Sequence, residues 1–174
     1  MTAFEDARAV RLPDRQYFDF ALASVETARR RIWASLFLQD IRPSRDLNGQ
    51  VLELTMALIA RSRVGVDVRV LLSGDVNTPD IAVANLASGM FLAQTGVQHR
   101  RAFEDPRGGR GGSHAKFFIC DAEAVAGSQN WTDDAFRLNI EDAVVVQGPP
   151  VELLAEEFLR LWETGRGLPR RAAN

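Results

Sequence analysis

Residues 114–131 read HAKFFICDAEAVAGSQNW, in which two short apolar runs, His114 to Cys120 and Ala124 to Ser128, flank the polar triplet Asp121-Ala122-Glu123. Runs of this length, divided by a polar turn, predict a β-hairpin. Upstream of it the pattern changes period repeatedly. Residues 15–31 carry Phe18, Leu22, Val25 and Ala28 at helical spacing. Ile32 to Leu38 is a continuous apolar run too short for a buried helix, so it predicts a buried parallel strand. Pro43-Ser44 open a second helix with Leu47, Val51, Leu54 and Leu58 in one stripe and Leu52, Met56 and Ile59 on an adjacent face. Val66 to Leu72 is a second strand, Asn77-Thr78-Pro79-Asp80 caps a third helix reaching about Thr95, and Val97 to Phe103 is a third strand.

Downstream of the hairpin, Ile140 to Gln147 is a further strand, and Pro149-Pro150 start a last helix with Val151, Leu154, Phe158, Leu161 and Trp162 on one face. This alternation predicts an α/β fold, a mixed β-sheet flanked by helices on both faces. With 174 residues the chain is expected to form one domain over 1–174, with residues 166–174 a loosely ordered tail. No internal repeat is visible.

Composition narrows the function classes. There are 21 Lys and Arg against 23 Asp and Glu, a formal net charge of −2, so any anion site must be local. The single cysteine, Cys120, excludes an internal disulfide and ends an apolar run, which predicts a packed thiol. Residues 1–14 carry five charges and no long apolar stretch, and nothing later reaches the length of a membrane span, so a cytoplasmic protein without membrane insertion is expected. Lys116 is the one lysine in the chain; every other basic residue is arginine. A lone lysine among arginines marks a position that needs a compact ammonium.

Lys116 stands two residues after His114, and on a strand such residues project from one face. Ser128 and Asn130 bear the same relation if the second strand stays extended. An imidazole, an ammonium, a hydroxyl and a carboxamide together suit a phosphoryl group, one as nucleophile or base and the others as donors to its oxygens. The carboxylates are scattered and no two histidines stand at ligand spacing, so neither a metal nor another cofactor is expected.

In this order and spacing the residues resemble the phospholipase D superfamily, with its pattern H-x-K, four residues, D, about six residues, then G-S-x-N. Here His114, Lys116, Asp121, Gly127, Ser128 and Asn130 fill it, and the second spacer is five residues, one shorter than usual. Six fixed residues coincide by chance on the order of once in a million. The specific likeness runs from Val97 to Trp162.

The resemblance implies a phospholipase D-like single domain in which His114 is a covalent nucleophile, Lys116 and Asn130 grip phosphate oxygens, and Ser128 assists. It assigns Glu141, in Asn139-Ile140-Glu141, to orienting a histidine, and makes Asp121 and Gly127 motif support, Asp121 as a partner for backbone or cation at the hairpin turn. The family mechanism uses two histidines, and the other histidine, His99, lacks the H-x-K context. A twofold homodimer that brings two His114 side chains together supplies the second, as in the minimal homodimeric bacterial endonuclease branch that the chain resembles. The expected activity is a metal-independent nuclease on DNA or RNA working through a phosphohistidine. The alternatives are lipid headgroup hydrolysis or transfer, and a non-catalytic binding module. Arg107 and Arg110 in the loop Glu104 to Gly112, with Arg100 and Arg101 before it, are expected to form a cationic lip for nucleic acid. Trp131 offers either a stacking face or packing beneath the site.

Overall fold

A strand packed on both faces needs apolar side chains at nearly every position, and the central runs of this chain meet that condition. In the computed structural model, which describes residues 6–74, 78–102 and 113–167, the chain passes through β1 (Arg8–Pro13), a 3-10 turn (Asp14–Gln16), α1 (Tyr17–Thr27), β2 (Arg31–Leu36), α2 (Gln50–Arg63) and β3 (Asp67–Ser73). It continues through α3 (Pro79–Thr95), β4 (Gln98–Ala102), β5 (Phe117–Cys120), β6 (Glu123–Gly127), α4 (Asp133–Arg137), β7 (Asp142–Gln147) and α5 (Pro149–Thr164).

The strands form one mixed sheet in the order β1-β7-β6-β5-β2-β3-β4. Strands β2, β3 and β4 are parallel; β5 joins β2 antiparallel, and β6, β7 and β1 follow antiparallel. This is the mixed sheet with helices on both faces that the sequence pattern predicts. Alternate side chains feed two cores. Ile32, Ala34 and Leu36 of β2, Val68, Val70 and Leu72 of β3, and Phe118 and Cys120 of β5 pack with α1, α2 and Leu92 of α3. Trp33, Leu71, Phe117 and Ile119 face the other way, onto Val151, Ala155, Phe158, Leu161 and Trp162 of α5.

Four local features differ from the sequence reading. Helix α2 begins at Gln50, not at Pro43, because the Asp46 carboxylate takes the N–H groups of Val51 (3.1 Å) and Leu52 (2.8 Å) and so fixes the first turn there. Leu47 is consequently left outside the helix and 76% exposed, and Leu52 and Met56 are exposed too. Strand β1 has no counterpart in the predicted order: as an edge strand it buries Leu12 alone, so its charged sequence carries no strand period. Arg166, read as part of a loose tail, exchanges both backbone hydrogen bonds with Arg101 at 2.8 and 2.9 Å.

The three parallel strands end at one edge of the sheet, and β5 enters there, with Phe117 opposite Ser35 and Leu36 beside Leu72. Residues just before β5 therefore stand at the carboxyl ends of parallel strands, where open α/β sheets gather their ligand sites.

Candidate active site

His114 and Lys116 lie in the extended segment that leads into β5, the backbone pairing of the hairpin reaching back to a Gly127 N–H bond to the Lys116 carbonyl of 3.2 Å. The Lys116 ammonium lies 3.0 Å from His114 Nδ1 and 3.2 Å from the His114 carbonyl. An ammonium has only donors, so the ring nitrogen it meets must be the unprotonated one. Local desolvation, followed by the Lys116 charge, holds His114 below the ordinary histidine range. Burial likewise lowers Lys116, while the Glu141 carboxylate opposes that shift. The pair is thus biased toward a neutral imidazole beside an ammonium.

The Phe37 ring, one residue past β2, closes this pair from below. Its centroid is 4.2 Å from the His114 ring centroid, and the Lys116 ammonium stands 4.8 Å from it.

Across the hairpin, β6 ends at Gly127, so Ser128 to Asn130 leave the sheet and their positions come from other contacts. Gly127 is obligatory: a Cβ there would lie 2.5 Å from the Asp142 carbonyl and 2.6 Å from the Ala143 methyl. The Ser128 hydroxyl donates to Glu141 Oε2, its N–H to the Asp142 carbonyl (3.0 Å), and the Asp142 N–H donates back to the hydroxyl (3.1 Å). Asn139 donates to the other Glu141 oxygen at 3.2 Å. Both Glu141 oxygens are therefore taken within this chain by Ser128 and Asn139, and among the described residues neither bonds an imidazole.

Asn130 is fixed by its neighbour. Trp131 N–H donates to the Leu38 carbonyl and the Asp40 N–H donates to the Trp131 carbonyl, both at 3.0 Å, which ties the end of the hairpin to the chain leaving β2. Among the described residues the Asn130 carboxamide oxygen has no hydrogen-bond partner, and the residue lines a cavity of about 260 Å³ whose wall is mainly acidic, with Asp40, Asp80, Asp133 and Asp134 beside Arg45 and Asn139, and which His114 and Lys116 do not line. Trp131 itself is fully buried, its indole N–H reaching the Tyr17 hydroxyl at 3.2 Å. It offers no stacking face; of the two readings of this residue, packing beneath the site is the correct one.

Asp121 has a structural position at the far end of the hairpin. Its carboxylate accepts the backbone N–H groups of Arg29 (2.8 Å), Arg30 (2.8 Å) and Arg31 (3.0 Å), joining the turn to the start of β2. Burial would raise this carboxyl, but the three N–H groups outweigh it and hold it below the usual carboxylate range.

Arg107 and Arg110 lie outside the described residues. Arg101 is on β4, three strands from β5, with its backbone bridged to Arg166. His99, also on β4, packs against Gly89 of α3 and is lowered by burial, well apart from His114 in the strand order. Cys120 is buried and its thiol pushed up by burial, an unreactive state. Among the described residues no three His, Cys, Asp or Glu side chains form a metal-holding group.

This end of the hairpin thus carries an imidazole held toward its neutral form against an ammonium (His114 and Lys116), and, across the strand pair, a carboxamide (Asn130) and a hydroxyl-carboxylate pair (Ser128 and Glu141), residue types suited to phosphoryl chemistry. Phe37 and Asn139 escape the sequence reading as site residues. Phe37 is disguised inside the apolar run Ile32 to Leu38, and Asn139 has no signal beyond its place two residues before Glu141.

Residues 23–162 match the family described as cardiolipin synthase, PLD-like domain. The human mitochondrial cardiolipin hydrolase is 36% identical over 101 residues, which are 57% of this chain and 36% of that protein. The match therefore spans about a third of that relative's length. Among solved structures, Nuc from Salmonella typhimurium, a phospholipase D family member, superposes with a TM-score of 0.70 at 22% identity, covering 92% of this chain and 96% of its own. NucT from Helicobacter pylori gives 0.69 at 14% identity, covering 94% and 100%. At these identities the two structures speak for the fold.

Proposed function

The chain belongs to the phospholipase D-like domain family, and from that premise we propose that it is a metal-independent nuclease whose nucleophile is His114 and whose site is shared by two subunits. The observation that carries this reading is the 3.0 Å approach of the Lys116 ammonium to His114, which keeps the imidazole neutral beside a cation suited to a phosphate oxygen.

A neutral His114 nitrogen attacks phosphorus, forming a P–N bond as the P–O bond to the leaving group breaks. Lys116 and Asn130 hold non-bridging oxygens, whose charge grows in the transition state. In the complex the negative substrate phosphate, which offsets the Lys116 charge, favours a proton on the partner subunit's His114, and that proton goes to the leaving oxygen. Now neutral, the same imidazole takes a proton from water, whose oxygen attacks phosphorus and frees the first imidazole. Glu141, anchored by Ser128 and Asn139, favours the charged form of Lys116 through its field.

Dimer formation is supported by the exposed apolar side chains at the mouth: Leu138 is 65% and Ile140 98% exposed, on either side of Asn139 and next to Glu141. Such residues gain by burial against a second copy.

Lipid headgroup hydrolysis or transfer is the second reading, favoured by the identity to a cardiolipin hydrolase. Among the described residues no helix is long and apolar enough to cross a membrane.

The test is turnover in excess EDTA of single-stranded DNA, duplex DNA, RNA and cardiolipin by the wild type and His114→Ala. Cleavage of nucleic acid by the wild type alone supports the nuclease. Turnover of cardiolipin alone replaces it with the second reading, and activity that EDTA abolishes removes the metal-independent mechanism.

A further inference from the structure

We propose that Phe37 is a positioning residue of the site, its ring holding the His114 and Lys116 pair together, and that Asn85 on α3 fixes Phe37 from behind. The assignment rests on the reading of His114 and Lys116 as the working pair, but its geometry is independent of the substrate.

The ring is engaged twice. At 4.2 Å between centroids and 44° between planes it packs directly on the imidazole, and at 4.8 Å it lies within cation–π range of the ammonium. His114 and Lys116 are otherwise exposed or half-buried on a segment that precedes its strand.

The backbone beneath the ring is unusually well held. Asn85, 1% exposed, donates from Nδ2 to the Phe37 carbonyl (2.8 Å) and to the Ser73 carbonyl (2.9 Å), and its Oδ1 accepts the Gln39 N–H (3.0 Å). One amide thereby ties the ends of β2 and β3 together. Ser88, next on the same helix face, donates to the Gln39 carbonyl at 2.7 Å. The same short stretch receives the Trp131 N–H at Leu38 and returns the Asp40 N–H to Trp131. Residues 37–40 therefore serve both halves of the motif: His114 and Lys116 through the Phe37 ring, and Asn130 through the backbone. A buried amide with every donor and acceptor used tolerates little displacement.

The chain has only two histidines, His99 and His114, so imidazole NMR can follow each individually. The groups facing His114 are Lys116 on its own segment, with Glu141 from the segment before β7 acting on Lys116. Removing the ring admits water and loosens Lys116, and both changes move the His114 titration upward toward the ordinary range. In Phe37→Leu, His114 is expected to titrate higher than in wild type while His99 is unmoved, and Phe37→Tyr to restore the wild-type value. On whichever phosphodiester the wild type turns over, Phe37→Leu should lower kcat at least about tenfold, the scale of a misplaced reacting group, and Phe37→Tyr should recover most of it. Asn85→Ala should move the His114 titration in the same direction as Phe37→Leu. An unchanged His114 titration in Phe37→Leu, with His99 also unchanged, overturns the proposal. That readout does not require turnover, so inactivity of the wild type on every substrate would count against the function and leave this test standing.

Discussion

Replacing Asp121 by alanine should unfold the molecule at milder conditions without touching its chemistry. The substitution strands three backbone N–H groups, those of Arg29, Arg30 and Arg31. The turn is half-exposed and water can recover part of each bond, so each loss is worth about 1 kcal/mol. Asp121 also sits at φ 52°, the left-handed region that aspartate tolerates and alanine resists, which adds about 1 kcal/mol. The total is about 4 kcal/mol, a large part of the 5–15 kcal/mol that holds a typical domain. For a chain of this size it corresponds to a fall in Tm of about 8–16 °C. Urea unfolding followed by tryptophan fluorescence measures it. The carboxyl is held below its unfolded value, so its contribution is complete above about pH 4 and is lost as pH falls through the depressed value. The gap between wild type and Asp121→Ala should therefore be constant from neutrality to mild acid and narrow below it toward the pH-independent φ contribution, and Asp121→Asn, which keeps one acceptor oxygen and the φ preference, should fall between them. A variant within 1 kcal/mol of wild type at neutral pH, or one as stable as wild type but catalytically dead, would refute the structural assignment of this residue.

Gly127→Ala should cost about 2–3 kcal/mol by overpacking, because the new methyl meets the Asp142 carbonyl and Ala143; thermal melts report it, and Ser128, the next residue, should lose activity with it. Ile140→Glu should leave the protomer fold intact by circular dichroism, its side chain being 98% exposed in the protomer, yet yield monomers by analytical ultracentrifugation and depress turnover most at low protein concentration. Because desolvation and the Lys116 charge lower His114, the ascending limb of kcat/KM against pH should lie below the ordinary histidine value of about 6.5. Lys116→Met should move that limb upward while lowering kcat by about a hundredfold or more.

The parallel core was readable because β2 is buried on both faces, which demands a continuous apolar run, while β3 keeps a strand's alternation around the half-buried Asp67 and Arg69. The same logic hides β1, an exposed edge strand that carries Arg8 and Arg11 three residues apart and buries Leu12 alone, and shifts α2, whose start is decided by the Asp46 carboxylate and not by the apolar stripe that extends back to Leu47. At the site, His114 and Lys116 were legible from their spacing of two. The role of Phe37 was not, since a tilted ring contact between a strand end and a segment some eighty residues later leaves no local period. Trp131 shows the limit of residue type as a guide: an indole beside a polar motif suits a nucleobase or a core equally, and the bond to Tyr17 decides for the core.

Covalent chemistry at His114 is the claim on which the rest depends. Wild-type protein should be mixed with excess substrate, quenched in alkali during turnover, and mapped by peptide mass spectrometry. The account predicts a substrate-derived phosphoryl adduct on His114 that disappears as substrate is exhausted. Product formation with an adduct at another residue, or with none although a burst precedes steady turnover, would contradict it.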